Sequence, residues 1–363
     1  MSIRSKSTGP RQLSSVRRSM LKLAGATALA APYFWIPKSH AAGKVIIRSP
    51  GGVYDDLRRE IVYEPFRKLT GIEVVPVAMT AGKLYTMVRS GHIELDIADI
   101  TTGTLTPFQR AGALVPIPYD KFQYADPADI DPNYKLEYMV GNFIYGIVMG
   151  YNTSALRDVP RNWTEFWDYK KFPAPRMLAD IAAGYPDLEF ALLADGVPLD
   201  KLYPLDIDRA FESLSRIRPS IRKFWDTGAL SSQMLSDKEA TLGSIWSTRL
   251  LAAADGGAPL AINWNQHGVH VQAYSIFRNA PNMENAIKLV DYCLSDDVQK
   301  AFAKRYPCGP VTRKAYETLP AELRARVPGG EMTAKNGFIL DPEWWADNRQ
   351  TVSDKWSKWV LNR

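Results

Sequence analysis

His267 and His270 are close in sequence and could bind a metal ion, because imidazole nitrogens are common metal ligands. They form a His-x-x-His pair in a glycine-containing segment, and two ligands alone do not complete a metal site. The strings HExxH, GxSxG and GxxxxGKS/T do not occur, so the common signatures of zinc proteases, serine hydrolases and P-loop proteins are absent. We therefore predict no metal, no cofactor and no catalytic residue.

Trp246 and Arg249 have side chains that bind small ligands. An indole face stacks on alkyl chains and rings and attracts cations. Arg249 follows three residues later, on the same face if the segment is helical, and its guanidinium matches a carboxylate or a phosphonate. The alternatives are core packing for the tryptophan, and for the arginine a place on the surface or an ion pair with a nearby aspartate.

The two cysteines, Cys293 and Cys308, are too few for a disulfide scaffold or a cysteine-based zinc site. In an oxidising compartment they could form a disulfide, which would be worth roughly 3 kcal/mol for a loop of this length. The alternatives are two isolated thiols, one of them buried, or a nucleophilic cysteine.

Strands and helices must position these residues, and from residue 44 onward short apolar runs alternate with amphipathic helical stretches. This alternation predicts an α/β protein with a largely parallel sheet. We predict strands at 44–48, 72–77, 97–100, 143–152, 240–246, 260–264 and 271–277, and helices at 54–70 and 83–90. Small-residue loops at 49–52, 80–82 and 101–103 follow three of the strands, and ligands bind at that carboxyl edge of a sheet.

The charge of the chain is concentrated in its N-terminal segment. The whole sequence has 45 Lys and Arg against 39 Asp and Glu, a net charge of +6, but residues 1–42 hold seven basic residues and no acidic one. Arg17-Arg18 precedes an apolar run at 23–36, and Ser39-x-Ala41 supplies a cleavage site. This layout predicts a twin-arginine-like signal peptide at 1–41 and a periplasmic protein, with an uncleaved amphipathic anchor as the alternative. The near-neutral remainder indicates no nucleic-acid partner.

A set of short motifs, in this order and spacing, gives the chain a family resemblance. They are Gly51-Gly52-x-Tyr54, Pro65-Phe66-x-x-x-Thr70-Gly71-Ile72, Asp96-Ile97-Ala98-Asp99, Gly150-Tyr151-Asn152, Trp163-x-x-Phe166-Trp167, Leu242-Gly243-x-Ile245-Trp246 and Ala286-x-Lys288-Leu289-Val290-Asp291. With them the chain resembles the spermidine/putrescine-binding type of extracellular solute-binding protein, the receptor of an ATP-driven (ABC) importer.

The resemblance implies a two-lobed type II periplasmic-binding fold with a hinged cleft between the lobes. Lobe one would hold 43–148 and 273–317, and lobe two 149–272 and 318–363. A monomer would capture a small polar solute by lobe closure and deliver it to an inner-membrane ABC permease, without chemistry. The alternative function is a periplasmic enzyme or metal-binding protein that is exported in folded form.

The resemblance also implies the ligand-binding residues, to which the sequence adds Arg249. They are Ser49, Gly51, Gly52, Tyr54, Thr80, Thr101, Thr102, Tyr185, Trp246, Trp264, His270 and Gln272. Polyamine recognition in the family depends on carboxylates, and Gln272 stands where an aspartate is expected. Asp180 and Asp187 are the acidic residues near the second expected position. Because buried ammonium groups need counter-charges, the ligand is either polyamine-like or a small carboxylate or phosphonate.

Overall fold

The apolar runs of the sequence form the strands of one mixed sheet in a computed structural model that describes residues 43–361. The strands are β1 (Lys44–Ser49), β2 (Glu73–Ala78), β3 (Ile97–Thr101), β4 (Leu114–Val115), β5 (Val140–Asn152), β6 (Arg176–Ala179), β7 (Ile221–Trp225), β8 (Leu242–Trp246), β9 (Leu260–Phe277) and β10 (Gly337–Ile339). The predicted signal peptide at 1–41 lies outside the described residues.

Helices follow most of these strands, as the sequence predicts for an α/β chain. The α-helices are α1 (Val53–Arg58), α2 (Glu64–Thr70), α3 (Ala81–Ser90), α4 (Thr102–Arg110), α5 (Trp163–Trp167), α6 (Leu188–Ala194), α7 (Ile207–Ile217), α8 (Gly228–Ser236), α9 (Ser247–Asp255), α10 (Met283–Cys293), α11 (Asp296–Arg305), α12 (Arg313–Glu317), α13 (Ala321–Arg324), α14 (Gly330–Asn336) and α15 (Pro342–Leu361). A π-helical turn, Arg59–Tyr63, joins α1 to α2, and short 3-10 turns lie at Tyr119–Lys121, Pro132–Tyr134, Ile181–Ala183, Leu199–Lys201 and Arg218–Ser220.

The helical segment after β1 shows how the local sequence sets an element. Its buried side chains, among them Val62 and Phe66, recur at helical spacing and pack under the sheet. The segment ends at Gly71, whose φ of 75° is the left-handed conformation that glycine adopts without steric cost. This end agrees with the predicted helix over 54–70.

The sheet order is β2-β1-β3-β9-β5-β8-β6-β7, and β4 and β10 also pair with β9. Parallel pairs lie toward the two ends of this order, where β1 pairs with β2 and β3, and β6 with β7 and β8. The central pairs, β3 with β9, β5 with β9 and β5 with β8, are antiparallel. The predicted parallel pairing therefore describes the ends of the sheet, and two long antiparallel strands join them.

The strand β9 corrects one prediction, because 260–264 and 271–277 form a single strand of 18 residues. The polar stretch between them resembles a loop in sequence, but its backbone pairs with β5 on one side and β10 on the other. Gln266 has a φ of 59°, and the β5 register shifts between Ile147 and Met149. This bulge lets one strand continue through a polar segment.

Buried side chains divide into two principal apolar clusters along the long strands. The first core includes Val45, Ile97, Val140, Tyr274 and Leu289. The second core includes Met149, Trp163, Leu178, Leu214 and Trp356. Each core thus draws on separated parts of the sequence, and the β5 strand contributes to both. Across the described residues, no helix is both long and apolar enough to cross a membrane.

Candidate functional site

The last residues of β3 and β8 meet the long strands at nearby positions. Thr101, which ends β3, pairs with Gln272 of β9. Trp246, which ends β8, pairs with Ile147 of β5, and the partner of that residue in β9 is Gly268. Gly268 and Gln272 are four positions apart, roughly 13 Å along the strand direction at ~3.3 Å per residue. Across the sheet, β3 and β8 are three strand spacings apart, which adds about 14 Å in the perpendicular direction.

His270 lies on β9 between these two positions and stacks with two tyrosines. Tyr145 is its cross-strand partner in β5, with ring centroids 5.2 Å apart and an interplanar angle of 24°. Tyr185, from the segment before α6, stacks on the same imidazole at 5.1 Å and 27°. The structure therefore brings His270 and Tyr185 together, as expected for two cleft residues, and adds Tyr145.

The His270 imidazole is neutral at physiological pH. Burial is the cause, and it lowers the pKa of the ring to about 3. A neutral imidazole offers one N–H donor and one nitrogen acceptor. His270 is thus a buried, polar and uncharged group between the Tyr145 and Tyr185 rings.

Trp246 and Arg249 are neighbours, although not on one helix. Trp246 is the last residue of β8 and Arg249 lies in the first turn of α9, so the prediction of a shared helical face is wrong. Their proximity shows at Gly228, where an added Cβ would be 2.8 Å from both Trp246 Cε3 and Arg249 Cγ. The Trp246 ring also lies 6.2 Å from that of Tyr145, in an edge-on arrangement.

The Arg249 side chain is exposed, and it forms no hydrogen bond or ion pair with any residue in the part of the chain that the structure describes. Burial raises the pKa of the Tyr145 and Tyr306 hydroxyls, and the positive charge of Arg249 opposes that rise at both. Tyr306, at the end of α11, also makes a side-chain hydrogen bond with Thr248. The cation therefore stands next to aromatic hydroxyls and has no counter-ion.

Trp264 packs close to the same region. Its ring lies over Gly146, where an added Cβ would be 2.8 Å from Trp264 Cζ3. The Trp264 ring meets the His267 ring edge-on at 5.2 Å. Gly146 follows Tyr145 directly in β5. The ring of Trp264 can approach this closely because residue 146 has no side chain.

Tyr54 and Gln272 belong to a buried polar network around Asp99, not to an open cleft surface. The Tyr54 hydroxyl donates to Asp99 Oδ2, and Gln272 Nε2 donates to Asp99 Oδ1 at 2.8 Å. Asn142 Nδ2 contacts both carboxylate oxygens at 3.3 Å, and Arg58 Nε donates to the Tyr54 hydroxyl at 3.0 Å. These contacts occupy the polar groups that the resemblance assigns to a ligand.

The loops after β1 and β2 are built by local hydrogen bonds. The Ser49 hydroxyl donates to Asp55 Oδ1 and is fully buried, whereas Gly52 is exposed. Gly51 lies against Ala78, with 3.4 Å from an added Cβ to the alanine Cβ. Thr80 is exposed, and its hydroxyl accepts from the Lys83 backbone N–H at 3.4 Å as the N-cap of α3.

The loop after β3 does meet the ring stack. The Thr101 hydroxyl lies 3.1 Å from that of Thr104, and the Thr101 side chain opposes the rise that burial causes in the pKa of Tyr185. Thr102 is buried as the first residue of α4. Gly103 follows, and an added Cβ there would lie 2.0 Å from the Tyr185 hydroxyl. The 101–103 loop and Tyr185 therefore form one contact.

The two acidic residues that might have replaced the expected polyamine carboxylates are engaged elsewhere. Asp187 is buried, and it accepts from the Ala179 N–H at 2.6 Å and from the Ser244 hydroxyl at 2.5 Å. Burial raises its pKa to about 7, against the opposing effect of these hydrogen bonds. Asp180 accepts from the Ala182 N–H at 2.8 Å and from Trp356 Nε1 at 3.2 Å.

His267 and the two cysteines are buried and are surrounded by residues of the protein interior. His267 is buried and contacts the Trp264 carbonyl at 2.8 Å and Thr333 Oγ1 at 3.3 Å. No group of three potential metal ligands occurs among residues 43–361. Of the alternatives for the cysteines, the structure has the isolated thiols: Cys293 and Cys308 are free, and they lie in different apolar clusters. Burial raises the pKa of the Cys293 thiol to about 11, which disfavours the nucleophilic thiolate.

Sequence reasoning missed Tyr145, Tyr306 and Gly103. A tyrosine within the apolar run 143–152 was a signal, since a phenol in a buried strand needs a polar neighbour or solvent. Tyr306 begins a Tyr-Pro-Cys-Gly loop whose position only the fold reveals. Gly103 looks like an ordinary turn glycine, and its close contact with Tyr185 comes from residues 82 positions apart.

Comparisons with known proteins show the family of the chain. The model of a family described as "Bacterial extracellular solute-binding protein" matches residues 62–327. The chain is 27% identical over 317 residues to the gamma-aminobutyric acid-binding protein of Pseudomonas aeruginosa, covering 85% of this chain and 89% of the relative. It is 26% identical over 303 residues to the spermidine/putrescine-binding periplasmic protein of Escherichia coli, covering 78% and 82%.

A solved structure extends the likeness to the whole fold. An ABC transporter substrate-binding protein from Bradyrhizobium japonicum superimposes with a TM-score of 0.80 at 31% identity, covering 88% of this chain and all of the other. This likeness confirms the predicted two-lobed type II periplasmic-binding fold. With a family model that covers most of the sequence, the chain belongs to the bacterial extracellular solute-binding proteins and is a substrate-binding component of an ABC importer.

Proposed function

We propose that this receptor binds a small solute through a carboxylate, and that Arg249 is the residue that pairs with it. The observation that carries the proposal is the exposed Arg249 guanidinium, which has no partner in residues 43–361 and stands beside Trp246, Tyr145 and Tyr306. A guanidinium presents a planar fork of donors that matches a carboxylate in two parallel hydrogen bonds. The adjacent tyrosine hydroxyls add donors of the same kind.

The charges around the site favour an anionic group over a polyamine. A buried ammonium group needs a carboxylate or an aromatic face beside it, since a charge without a partner is costly to desolvate, and a diamine needs two such places. Asp99 already accepts from Tyr54 and Gln272, and Asp187 accepts from Ser244. No carboxylate among these three-dimensional neighbours is free to hold a second ammonium, so a diamine would leave at least one end unpaired.

A short ω-amino acid is the ligand class to test first. The relative from Pseudomonas aeruginosa is named for gamma-aminobutyric acid, and such a molecule has one carboxylate for Arg249. Its single ammonium would meet the ring faces of Trp246 and Tyr145, which attract cations.

The receptor works by closure of two lobes in this proposal. We assign 43–148 and 273–317 to lobe one and 149–272 and 318–363 to lobe two. The two cores follow this division except in the long strands, where Val269 and Val271 belong to the first core and Ile147 to the second. A ligand favours the closed state only if it contacts both lobes. The protein acts in the periplasm as a monomer, hands its ligand to an inner-membrane ABC permease and performs no catalysis.

A thermal-shift panel tests the ligand class. The panel compares γ-aminobutyrate, longer ω-amino acids, simple monocarboxylates, phosphonates, putrescine and spermidine. A ligand at a hundredfold excess over its dissociation constant should add about 2.7 kcal/mol to the free energy of unfolding. We expect carboxylates to raise the melting temperature and polyamines to leave it unchanged. Stabilisation by a polyamine alone, or by metals alone, would contradict the proposal.

A further inference from the structure

Tyr185 packs closely against Gly103. Any larger side chain at residue 103 would force one of the two residues to move. A Cβ built on Gly103 would lie 2.0 Å from the Tyr185 hydroxyl and 3.2 Å from Cζ of the same ring. Gly103 has helical backbone in α4, so a left-handed conformation is not what requires glycine there. The close approach of the hydroxyl is the requirement.

The Tyr185 side of this contact is anchored to the second core. The Tyr185 ring packs on that of Trp345 in α15, with centroids 4.7 Å apart, and Trp345 is buried in the second core. Arg349, one turn further along α15, donates from Nη1 to the Gly184 carbonyl at 2.8 Å. The turn that carries Tyr185 is therefore fixed to the C-terminal helix.

The Gly103 side belongs to a different set of buried residues. Leu105 and Phe108 of α4 pack in an apolar cluster with Ala98 of β3 and Ala273 of β9. In the proposed division these residues lie in lobe one, and Tyr185 lies in lobe two. The Tyr185–Gly103 contact thus crosses the cleft at the end of β3.

We propose that Tyr185 is a positioning residue that couples ligand binding to lobe closure: its hydroxyl docks against Gly103 in the closed state while its ring holds His270 in the cleft. This inference rests on the proposed function, since it assigns a role within the same ligand site. The hydroxyl docks beside Thr101, whose side chain is close enough to oppose the rise that burial causes in the pKa of Tyr185. One side chain therefore touches lobe one, the ring stack and α15 together.

The physical consequence is that the closed state contains a contact which the open state lacks. Such a contact shifts the equilibrium between the two states toward the closed one. The apparent affinity for a ligand is proportional to the fraction of molecules able to close, so a smaller fraction weakens binding. A methyl group at residue 103 would hold the Tyr185 hydroxyl away and disfavour closure. Removal of that hydroxyl should relieve the conflict, because the ring carbon is 3.2 Å from the added Cβ.

The test compares wild type, Gly103→Ala, Tyr185→Phe and the double variant. Gly82→Ala is the matched control, because Gly82 lies in the first turn of α3 and nothing is within 4 Å of an added Cβ. The radius of gyration from small-angle X-ray scattering reports closure, measured with and without γ-aminobutyrate. Calorimetry with γ-aminobutyrate reports the dissociation constant, and thermal unfolding checks that each variant is folded.

We expect Gly103→Ala to enlarge the radius of gyration. It should also weaken binding by about tenfold, which corresponds to an about tenfold smaller fraction of molecules able to close. The double variant should return both values toward those of Tyr185→Phe alone. Unchanged values in Gly103→Ala, or a defect that Tyr185→Phe does not relieve, would overturn the inference. Neither result bears on Arg249. If wild type ignores γ-aminobutyrate, the proposed ω-amino acid ligand is wrong, while the radius of gyration without ligand still decides the role of Tyr185.

Discussion

Gln272 Nε2 donates a hydrogen bond to Asp99 Oδ1 at 2.8 Å, so the amide that stands where a cation-binding carboxylate is expected pairs with a buried carboxylate of the protein itself. The family resemblance leads one to expect a carboxylate at residue 272, where it would hold an ammonium group. An amide there can instead donate to Asp99, which is buried and also accepts from Tyr54. The same substitution that removes a cation-binding group thus completes a structural network.

The first prediction concerns this pair. Gln272→Glu places a second carboxylate against Asp99, and like charges at this distance raise the pKa of one of them. A group whose pKa is raised on folding lowers stability as pH increases, because the folded state retains a proton that the unfolded state has released. We expect urea unfolding to show a loss of stability that is larger near pH 8 than near pH 5. A loss of equal size at both pH values would indicate that lost packing, and not charge, is the cause.

The second prediction concerns Asp187, whose pKa burial raises to about 7. Between the ordinary pKa of 3.8 and about 7 the folded protein holds a proton on this group that the unfolded chain does not. Its contribution to stability therefore falls as pH rises through that window and is fully lost above it. Asp187→Asn can still accept from Ala179 and Ser244, so we expect it to flatten the pH dependence of the unfolding free energy.

Urea unfolding of wild type and Asp187→Asn across the window from about pH 5 to about pH 8 checks this sign. The variant should gain stability relative to wild type as pH rises. Ser244→Ala is a useful comparison, since it removes one donor to Asp187 and keeps the carboxyl group. Parallel pH profiles for wild type and Asp187→Asn would show that Asp187 does not retain the proton.

The third prediction concerns Arg110, at the far end of α4 from Gly103. Its guanidinium bonds to Glu343 Oε2 at 2.5 Å and also contacts Asp347, both in α15. All three side chains are more than 40% exposed, so solvent weakens the interaction, and exposed pairs are worth about 0.2–1 kcal/mol. Because these contacts join the two proposed lobes, Arg110→Gln should weaken ligand binding slightly, by less than about fivefold.

Salt provides the control for Arg110. At about 1 M salt the Debye length is only about 3 Å, so exposed charge pairs lose most of their effect. The difference in dissociation constant between wild type and Arg110→Gln should shrink at high salt. A difference that persists unchanged would assign the effect to lost packing of the arginine chain.

The sequence predicted the parts of the fold that depend on local pattern. The strand β1 and the helix that stops at Gly71 follow from apolar periodicity and a glycine C-cap. The strand β9 was divided into two, because its polar middle has no hydrophobic period. The backbone groups of that stretch find partners in β5 and β10, which only the tertiary fold supplies.

The candidate site divides in the same way. Trp246 and Arg249 are close in sequence and were found from their types and spacing. Tyr145 and Tyr306 reach Arg249 from other strands and helices, so no local pattern could join them. Tyr54 and Gln272 were assigned to the ligand by resemblance, whereas in the structure both are bonded to Asp99. A resemblance indicates which positions of the chain correspond to those of the family. It does not give the hydrogen-bond partners, because these depend on every neighbouring residue.

The central claim is that Arg249 holds the carboxylate of the ligand. Arg249→Met keeps much of the side-chain length but removes the charge, and hydrogen bonds to charged groups contribute about 1.5–3 kcal/mol, equivalent to roughly 10- to 100-fold in affinity. Arg249→Lys keeps the charge and loses the planar fork, so its loss should be smaller. Neither change should alter the melting temperature without ligand, because Arg249 is exposed and has no partner in the described residues.

Isothermal titration calorimetry with γ-aminobutyrate and with the carboxylate that ranks highest in the thermal-shift panel is the most direct measurement of this claim. The account predicts tight binding to wild type, intermediate binding to Arg249→Lys and a loss of at least about tenfold in Arg249→Met. Wild-type affinity in Arg249→Met for a carboxylate ligand would contradict it.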